Sequence, residues 1–226
     1  MLLFGFYDAV NWPFHYFFMA FFFIMGAVLW LRSRQEDKGW QALSTELQME
    51  FQEKVDSGYK VILGRFELFG GGSIDQLTQM LSGTYRGWKM YAFNWFYRSD
   101  LSLDAVRGGF ACVILELSDD LGRFRLFPDE MDDFLSSLDS DRIVIGPEAF
   151  HQRYRLACRG RTVVDALFTD EMIQAIMDGP GLLIEASEKY LLFAWQGELL
   201  PGDTLAQLDR VVALAEKIPQ KLLPHK

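Results

Sequence analysis

Residues 13–31 read PFHYFFMAFFFIMGAVLWL, and this stretch decides how the rest of the chain is read. From Tyr16 to Leu31 there is no charged side chain, and five of the residues are Phe. Its 19 residues, as a helix rising about 1.5 Å each, reach roughly 28 Å, close to the ~30 Å hydrocarbon core of a bilayer. Trp12 and Trp30 stand at its two ends, where an indole ring prefers the boundary between headgroups and acyl tails. Pro13 suits the first turn of a helix, where its missing N–H costs nothing. The pattern predicts a transmembrane helix over 13–31, set in the bilayer by Trp12, Pro13, Phe17, Phe18, Phe21, Phe22, Phe23 and Trp30.

A cleaved signal peptide is the rival reading, and the flanks argue against it. No Lys or Arg precedes the apolar run, and no small-x-small cleavage pattern follows it. Arg32, Arg34 and Lys38 follow instead, so the positive-inside rule places the C-terminal side in the cytoplasm and the N-terminus outside. Residues 1–12, MLLFGFYDAVNW, are too apolar for a free tail and are expected in the outer interface or against a partner. His15 has two readings: an interfacial residue at a helix end, which is favoured, or a ligand to haem or pigment. The Phe cluster is expected to surround the helix without forming a stripe, meeting lipid, pigment or a further helix.

All 22 Lys and Arg, and all but one of the 31 Asp and Glu, lie after residue 31. The body of the chain is therefore acidic, which speaks against nucleic acid as a partner, because neutralising phosphates needs clustered cations. Cys112 and Cys158 fall in apolar alternating stretches on the reducing side and read as buried thiols.

Residues 32–58 read as a juxtamembrane helix with Trp40, Leu43, Leu47 and Phe51 on one face, ended by Asp56-Ser57-Gly58. Residues 59–219 read as the soluble domain, and 220–226 as a short basic tail. Gly70-Gly71-Gly72 is a flexible turn, since no Lys follows at P-loop spacing. The strongest strand signal lies over 84–98, with Tyr91, Phe93, Trp95 and Tyr97 on one face and Trp88, Met90, Ala92 and Phe96 on the other. Two apolar faces require two covers: one is the domain's own helices, and the second is another sheet or a partner protein meeting residues such as Tyr91 and Trp95, with core packing favoured. FACVILEL (110–117) and RFRLF (123–127) read as strands joined by SDDLG in a hairpin. Pro128-Asp129-Glu130 opens a short helix with Met131, Phe134, Leu135 and Leu138 inward, and its acids suit the helix N-terminus.

HQRYRLACRGR (151–161) alternates, setting Arg153, Arg155 and Arg159 on one side with Arg161 beyond them. Such a stripe either docks an acidic partner or pairs across strands with nearby Asp and Glu. Thr169 is placed to cap a helix DEMIQAIMDG; LLIEA and YLLFAW form a hairpin. The final amphipathic helix starts at Asp203 and points Leu205, Leu208, Val212 and Ala215 inward. The fold class is α+β: a mostly antiparallel sheet packed by helices, with strand–strand–helix order occurring twice and a division near Asp141.

FELF before a glycine turn, LSGTYRG entering an aromatic strand, RFRLFPDE, FHQRYRL, ALFTDEM and the closing LLIE…YLLF hairpin together resemble an uncharacterised family of bacterial single-span membrane-anchored proteins. The resemblance covers about two thirds of the chain and implies an inner (cytoplasmic) membrane location with a cytoplasmic α+β domain. The chain departs from it at Gly70-Gly71-Gly72, where members carry a basic segment, and at Asn94-Trp95, where they carry an aspartate-tyrosine pair.

The sequence holds no HExxH, GxSxG or CxxC motif, so the expectation is a non-catalytic protein without cofactor or metal. The expected role is a single-span accessory subunit stabilising a larger membrane complex (respiratory, photosynthetic or transport), its partners the lipid bilayer and other membrane subunits. The alternative is a self-standing membrane-tethered binding or sensing module.

Overall fold

The structure is a computed structural model that describes residues 5–70, 77–98, 107–131, 141–158 and 161–219; for 5–15, 57, 97–98, 107–108 and 141–142 it gives the backbone alone. The chain forms two compact units, Met1–Ala42 and Leu43–Lys226.

The first unit is the greater part of a single helix, α1 (Gly5–Leu47). Every residue from 16 to 31 is exposed. Helix α1 ends earlier than the juxtamembrane reading over 32–58 places it. Gln48 turns left-handed at φ 55, Met49 N–H donates to Ser44 O at 3.0 Å and Gln48 N–H to Thr45 O at 3.3 Å. This pair of bonds is a Schellman stop, with Met49 buried behind it. The chain then enters a strand, β1 (Glu50–Lys54), so Phe51 belongs to a sheet edge and not to the helix.

The second unit is built on one sheet. Its further strands are β2 (Leu77–Tyr85), β3 (Trp88–Arg98), β4 (Arg107–Glu116), β5 (Arg123–Pro128), β6 (Asp141–Ile143), β7 (Tyr154–Cys158), β8 (Leu183–Ser187) and β9 (Tyr190–Gln196). They lie in the order β1-β2-β3-β4-β9-β8-β5-β7-β6, each antiparallel to its neighbours. The helices are α2 (Lys60–Leu63), α3 (Glu148–Arg153), α4 (Arg161–Leu167), α5 (Asp170–Met177) and α6 (Pro201–Ala215). The fold is α+β, as the sequence indicates. Strand β5, before Asp141, pairs with β7 and β8 beyond it, and Leu43–Lys226 is one compact unit, so the expected division near Asp141 does not separate the sheet into halves.

Two turns show how local chemistry sets the order. Arg86 and Gly87 both have positive φ (48° and 84°), the geometry of the two-residue turn that matches strand twist, and they join β2 to β3. The expected hairpin between β4 and β5 does not form. Its SDDLG linker instead receives the tip of the β8–β9 hairpin: Leu117 N–H donates to Lys189 O and Leu121 N–H to Glu188 O, while Glu188 N–H donates to Gly122 O. Thus β9 and β8 are inserted between two strands that follow each other in sequence.

Both faces of the central strands are covered. On one face Tyr91, Phe93, Trp95, Phe110, Cys112, Ile114, Leu192 and Ala194 pack with Leu63, Phe66, Leu68 and Phe69, from the segment that follows β1. The opposite face carries Met90, Ala92, Val113 and Phe193, all at most 1 % exposed. There Asn94 holds the chain just ahead of α6: its amide donates to Leu199 O at 3.0 Å and its oxygen accepts Leu199 N–H at 2.6 Å. Phe124 meets Phe168 edge-on between α4 and α5. Thr169 caps α5 as expected, its Oγ1 accepting Met172 N–H at 3.3 Å. Helix α6 begins at Pro201, two residues before Asp203, and Leu205 stays 36 % exposed while Leu208, Val212 and Ala215 point inward.

Candidate functional site

The first candidate is α1 itself. Over Tyr16–Leu47 it is long and apolar enough to cross a membrane. Phe17, Phe22 and Phe23 are 71 %, 62 % and 81 % exposed, and the exposed apolar residues here follow one another in an unbroken run, whereas in the sheet domain Val61 and Val144 stand singly. With 3.6 residues per turn, Phe17, Phe18, Phe21 and Phe22 fall within about 140° of arc and Phe23 lies opposite, so most of the cluster forms a stripe, contrary to the sequence reading. Its rings touch each other: Phe18–Phe22 at 6.3 Å and Phe21–Phe22 edge-on at 5.9 Å. The side chains of Trp12, Pro13 and His15 lie outside the described residues, and with them the ligand reading of His15.

Just beyond the uncharged run, Arg32 Nε donates to Glu36 Oε1 at 3.1 Å. The guanidinium of Arg34 lies over the Trp30 ring, 4.2 Å from its centroid. The sequence reading named both residues without joining them; their i, i+4 spacing was the available signal.

The proposed partner-binding residues fare differently. Tyr91 is 8 % and Trp95 1 % exposed, both inside the core, so neither offers a surface. The arginine stripe is not one surface either. Arg153 ends α3 and donates Nη1 to Met177 O and Nη2 to Gly179 O, both at 2.8 Å, capping the C-terminus of α5. Arg155 on β7 pairs with Asp129. Arg161 opens α4 and pairs with Asp165 one turn on, at 3.1 Å. Arg159 lies outside the described residues, as does the Gly71-Gly72 part of the glycine turn. Alternation over 151–161 misled because Arg153 is helical, and β7 supplies only five of the residues.

Two ionic clusters went unnoticed in the sequence. Glu116, at the end of β4, accepts from Lys189 Nζ at 2.5 Å and is paired with Lys89 Nζ at 2.8 Å, with Tyr91 OH donating at 3.2 Å. Partial burial pushes its carboxyl up, but the hydrogen bonds from Lys189 and Lys89 outweigh this and hold its pKa down at about 2. Glu185, the one acid in the apolar run LLIEA, faces Arg125 across the β5–β8 pair, 3.5 Å from its Nε. Its oxygens accept the backbone N–H of Glu67 (2.5 Å) and Leu68 (3.2 Å), pinning the 3-10 turn Glu67–Phe69 to the sheet, and Glu67 in turn accepts from Arg125 Nη2 at 2.8 Å. Burial raises the Glu185 carboxyl above its usual range, against the opposing pull of Arg125 and the two N–H groups. A lone acid in an apolar strand run is the sequence signal that marks such a residue. Both clusters hold the domain together and leave little to offer a ligand.

Cys112 and Cys158 are buried free thiols, and burial pushes Cys112 well above the ordinary thiol range, leaving it unreactive. Among the described residues no three His, Cys, Asp or Glu side chains converge on a metal-sized site. A cleft of 250 Å³ lies between the start of β5 and α4, lined by Leu121, Arg123, Phe124, Thr162, Val163 and Val164.

No protein-family model matches the chain, and no curated protein matches it by sequence. Among solved structures, the crystal structure of the mycobacterial trehalose monomycolate transport factor A, TtfA, is similar at a TM-score of 0.53, over 84 % of this chain and 96 % of that one, with 10 % identity. At that identity the likeness is one of fold: the chain shares with a transport factor its α+β architecture.

Proposed function

We propose that this protein is a membrane-tethered, non-catalytic accessory factor of a larger membrane assembly, with transport the favoured class. The observation that carries the reading is the run from 16 to 31, uncharged and exposed along its whole length. In water such a surface would be a severe aggregation liability; in a bilayer it is an anchor. Arg32, Arg34 and Lys38 beyond it, against no cation before it, favour a cytoplasmic domain at a bacterial inner membrane with the N-terminus outside. The likeness to a transport factor supports an accessory role over catalysis, and the internal use of Arg153, Arg155 and Arg161 leaves α1 as the main surface for other membrane subunits.

The cleft beside α4 favours a second reading, a tethered binding or sensing module. Extraction from native membranes in mild detergent, followed by native-size analysis and identification of co-migrating chains, separates the two. Migration in a large complex with defined partners is the expected result. Migration alone, near 26.1 kDa plus detergent, sinks the subunit reading and favours the tethered module.

A further inference from the structure

We propose that Arg34, held over Trp30, is a binding site for the phosphate of an anionic phospholipid at the cytoplasmic end of the anchor; the proposal rests on the anchor reading above. Three cations follow the uncharged run, and they are not equivalent. Arg32 has a carboxylate partner of its own in Glu36, one turn toward the C-terminus, at 3.1 Å. Lys38 lies a further turn away from Arg34. Arg34 is exposed, and among the described residues its one contact is the face of Trp30.

The direction of that contact matters. Side chains on a helix slant toward its N-terminus, so the head of a long residue lies about one turn before its own Cα. At 4.2 Å from the indole centroid, the Arg34 charge is carried back to the level of Trp30, at the rim of the uncharged segment. An indole at the end of an apolar helix settles among the headgroups, which is the depth of the lipid phosphates. The Trp30 ring covers one side of the guanidinium and accepts none of its N–H groups in a conventional hydrogen bond. A guanidinium carries five N–H donors in a planar fork suited to two oxygens of one phosphate. Trp30 therefore acts as a shelf that holds a cation where phosphodiesters lie. A net anionic headgroup, with no ammonium of its own, is preferred, since a choline would oppose the guanidinium.

Full-length protein in mild detergent is titrated with phosphatidylglycerol or phosphatidylcholine, and bound lipid is counted by native mass spectrometry. Wild type is expected to favour phosphatidylglycerol by about fivefold, the worth of one basic residue at a charged membrane surface. R34Q should abolish the preference and R32Q should keep it. W30L should lower it although every charge remains, because the guanidinium loses its shelf. Retention of the preference in R34Q overturns the proposal. So does loss of a co-migrating protein in R34Q with lipid binding unchanged, which would assign Arg34 to a protein carboxylate. Alkaline carbonate washing of native membranes keeps the two readings apart: release of wild type would sink the anchor itself, while retention without lipid preference would sink the Arg34 site alone.

Discussion

Phe23 in α1 is 81 % exposed and Phe93 in β3 is 0 % exposed, and the two residues show the two solvents this chain is written for. The anchor and the sheet domain are both rich in large apolar side chains. In the domain, each apolar face finds a protein cover: Phe93 lies 5.9 Å from the ring of Phe69 and beneath the turn that Glu185 pins in place. In the anchor the side chains from 16 to 31 are all exposed, and Phe18, Phe21 and Phe22 meet one another. Burial against protein rewards shape, so a domain residue is specified by its neighbours. Burial in lipid rewards only the absence of charge, so an anchor residue is specified by its class.

The comparison can be broken most directly with paired truncations. Phe93→Ala should cost the domain about 3–5 kcal/mol, from lost transfer and the cavity left among Phe69, Cys112 and Trp95. Phe22→Ala should change domain stability by less than about 0.5 kcal/mol. Chemical denaturation of the full chain in non-ionic micelles measures both. Equal losses would mean that the anchor packs as core and is not a lipid-facing helix.

A charge reverses the ranking. Phe22 stands at the middle of residues 13–31, where an arginine costs insertion about 2.5–3.5 kcal/mol. Phe22→Arg should therefore shift the protein out of carbonate-washed membranes while leaving the denaturation midpoint of the domain unchanged. An unchanged membrane fraction would argue that α1 lies along a surface or within a water-lined path.

What was legible in the sequence follows the same division. The anchor could be read from residue class alone, because lipid asks nothing more. Strand β3 could be read because Tyr91, Phe93 and Trp95 alternate with Met90, Ala92 and Asn94. Helix α1 was read too long because Phe51 continues the spacing of Leu43 and Leu47; nothing local announces that Gln48, a residue with a side chain, will adopt the left-handed turn usually given to glycine. The β4–β5 hairpin was misread because SDDLG is a sound turn, and the strands that displace it arrive more than 60 residues later. Glu185, Arg125 and Glu67 meet across sequence separations of 58 and 118 residues, beyond any local pattern. The Trp30–Arg34 contact is the reverse case, a local pair whose i, i+4 spacing is plain in the sequence.

Charged clusters separate the regions by pH as well. Glu116 is held at a pKa of about 2 against an ordinary 4.5, so the folded state binds its proton less readily than the unfolded chain. Its contribution is present above pH 4.5 and is lost as pH falls toward 2. Lys89 and Lys189 are 57 % and 45 % exposed, so solvent screening keeps that contribution small. Glu185 works in the opposite sense: its raised value favours the protonated folded state, so it adds stability as pH falls through that value toward the ordinary carboxylate range. Glu116→Gln should lower stability at pH 7 and flatten the loss between pH 4.5 and 2, followed by denaturation midpoints across that range. An acid limb as steep as that of wild type would assign the loss to other carboxylates.

The smallest effect lies where the two regions join. Gln48 ends α1 with φ at 55°, a conformation that costs a residue with a Cβ about 1 kcal/mol. The bonds it permits, Met49 to Ser44 and Gln48 to Thr45, use backbone atoms only, so glycine keeps them. Glycine also makes the unfolded chain more flexible, which offsets part of the relief. Gln48→Gly should thus stabilise the domain by about 0.5 kcal/mol, and Gln48→Ala, which keeps the strain, should leave it nearly unchanged. The pair of variants isolates the left-handed turn from any contact of the Gln side chain. Destabilisation by glycine would show instead that α1 continues past Leu47 in the working protein, joining anchor and sheet through a longer helix.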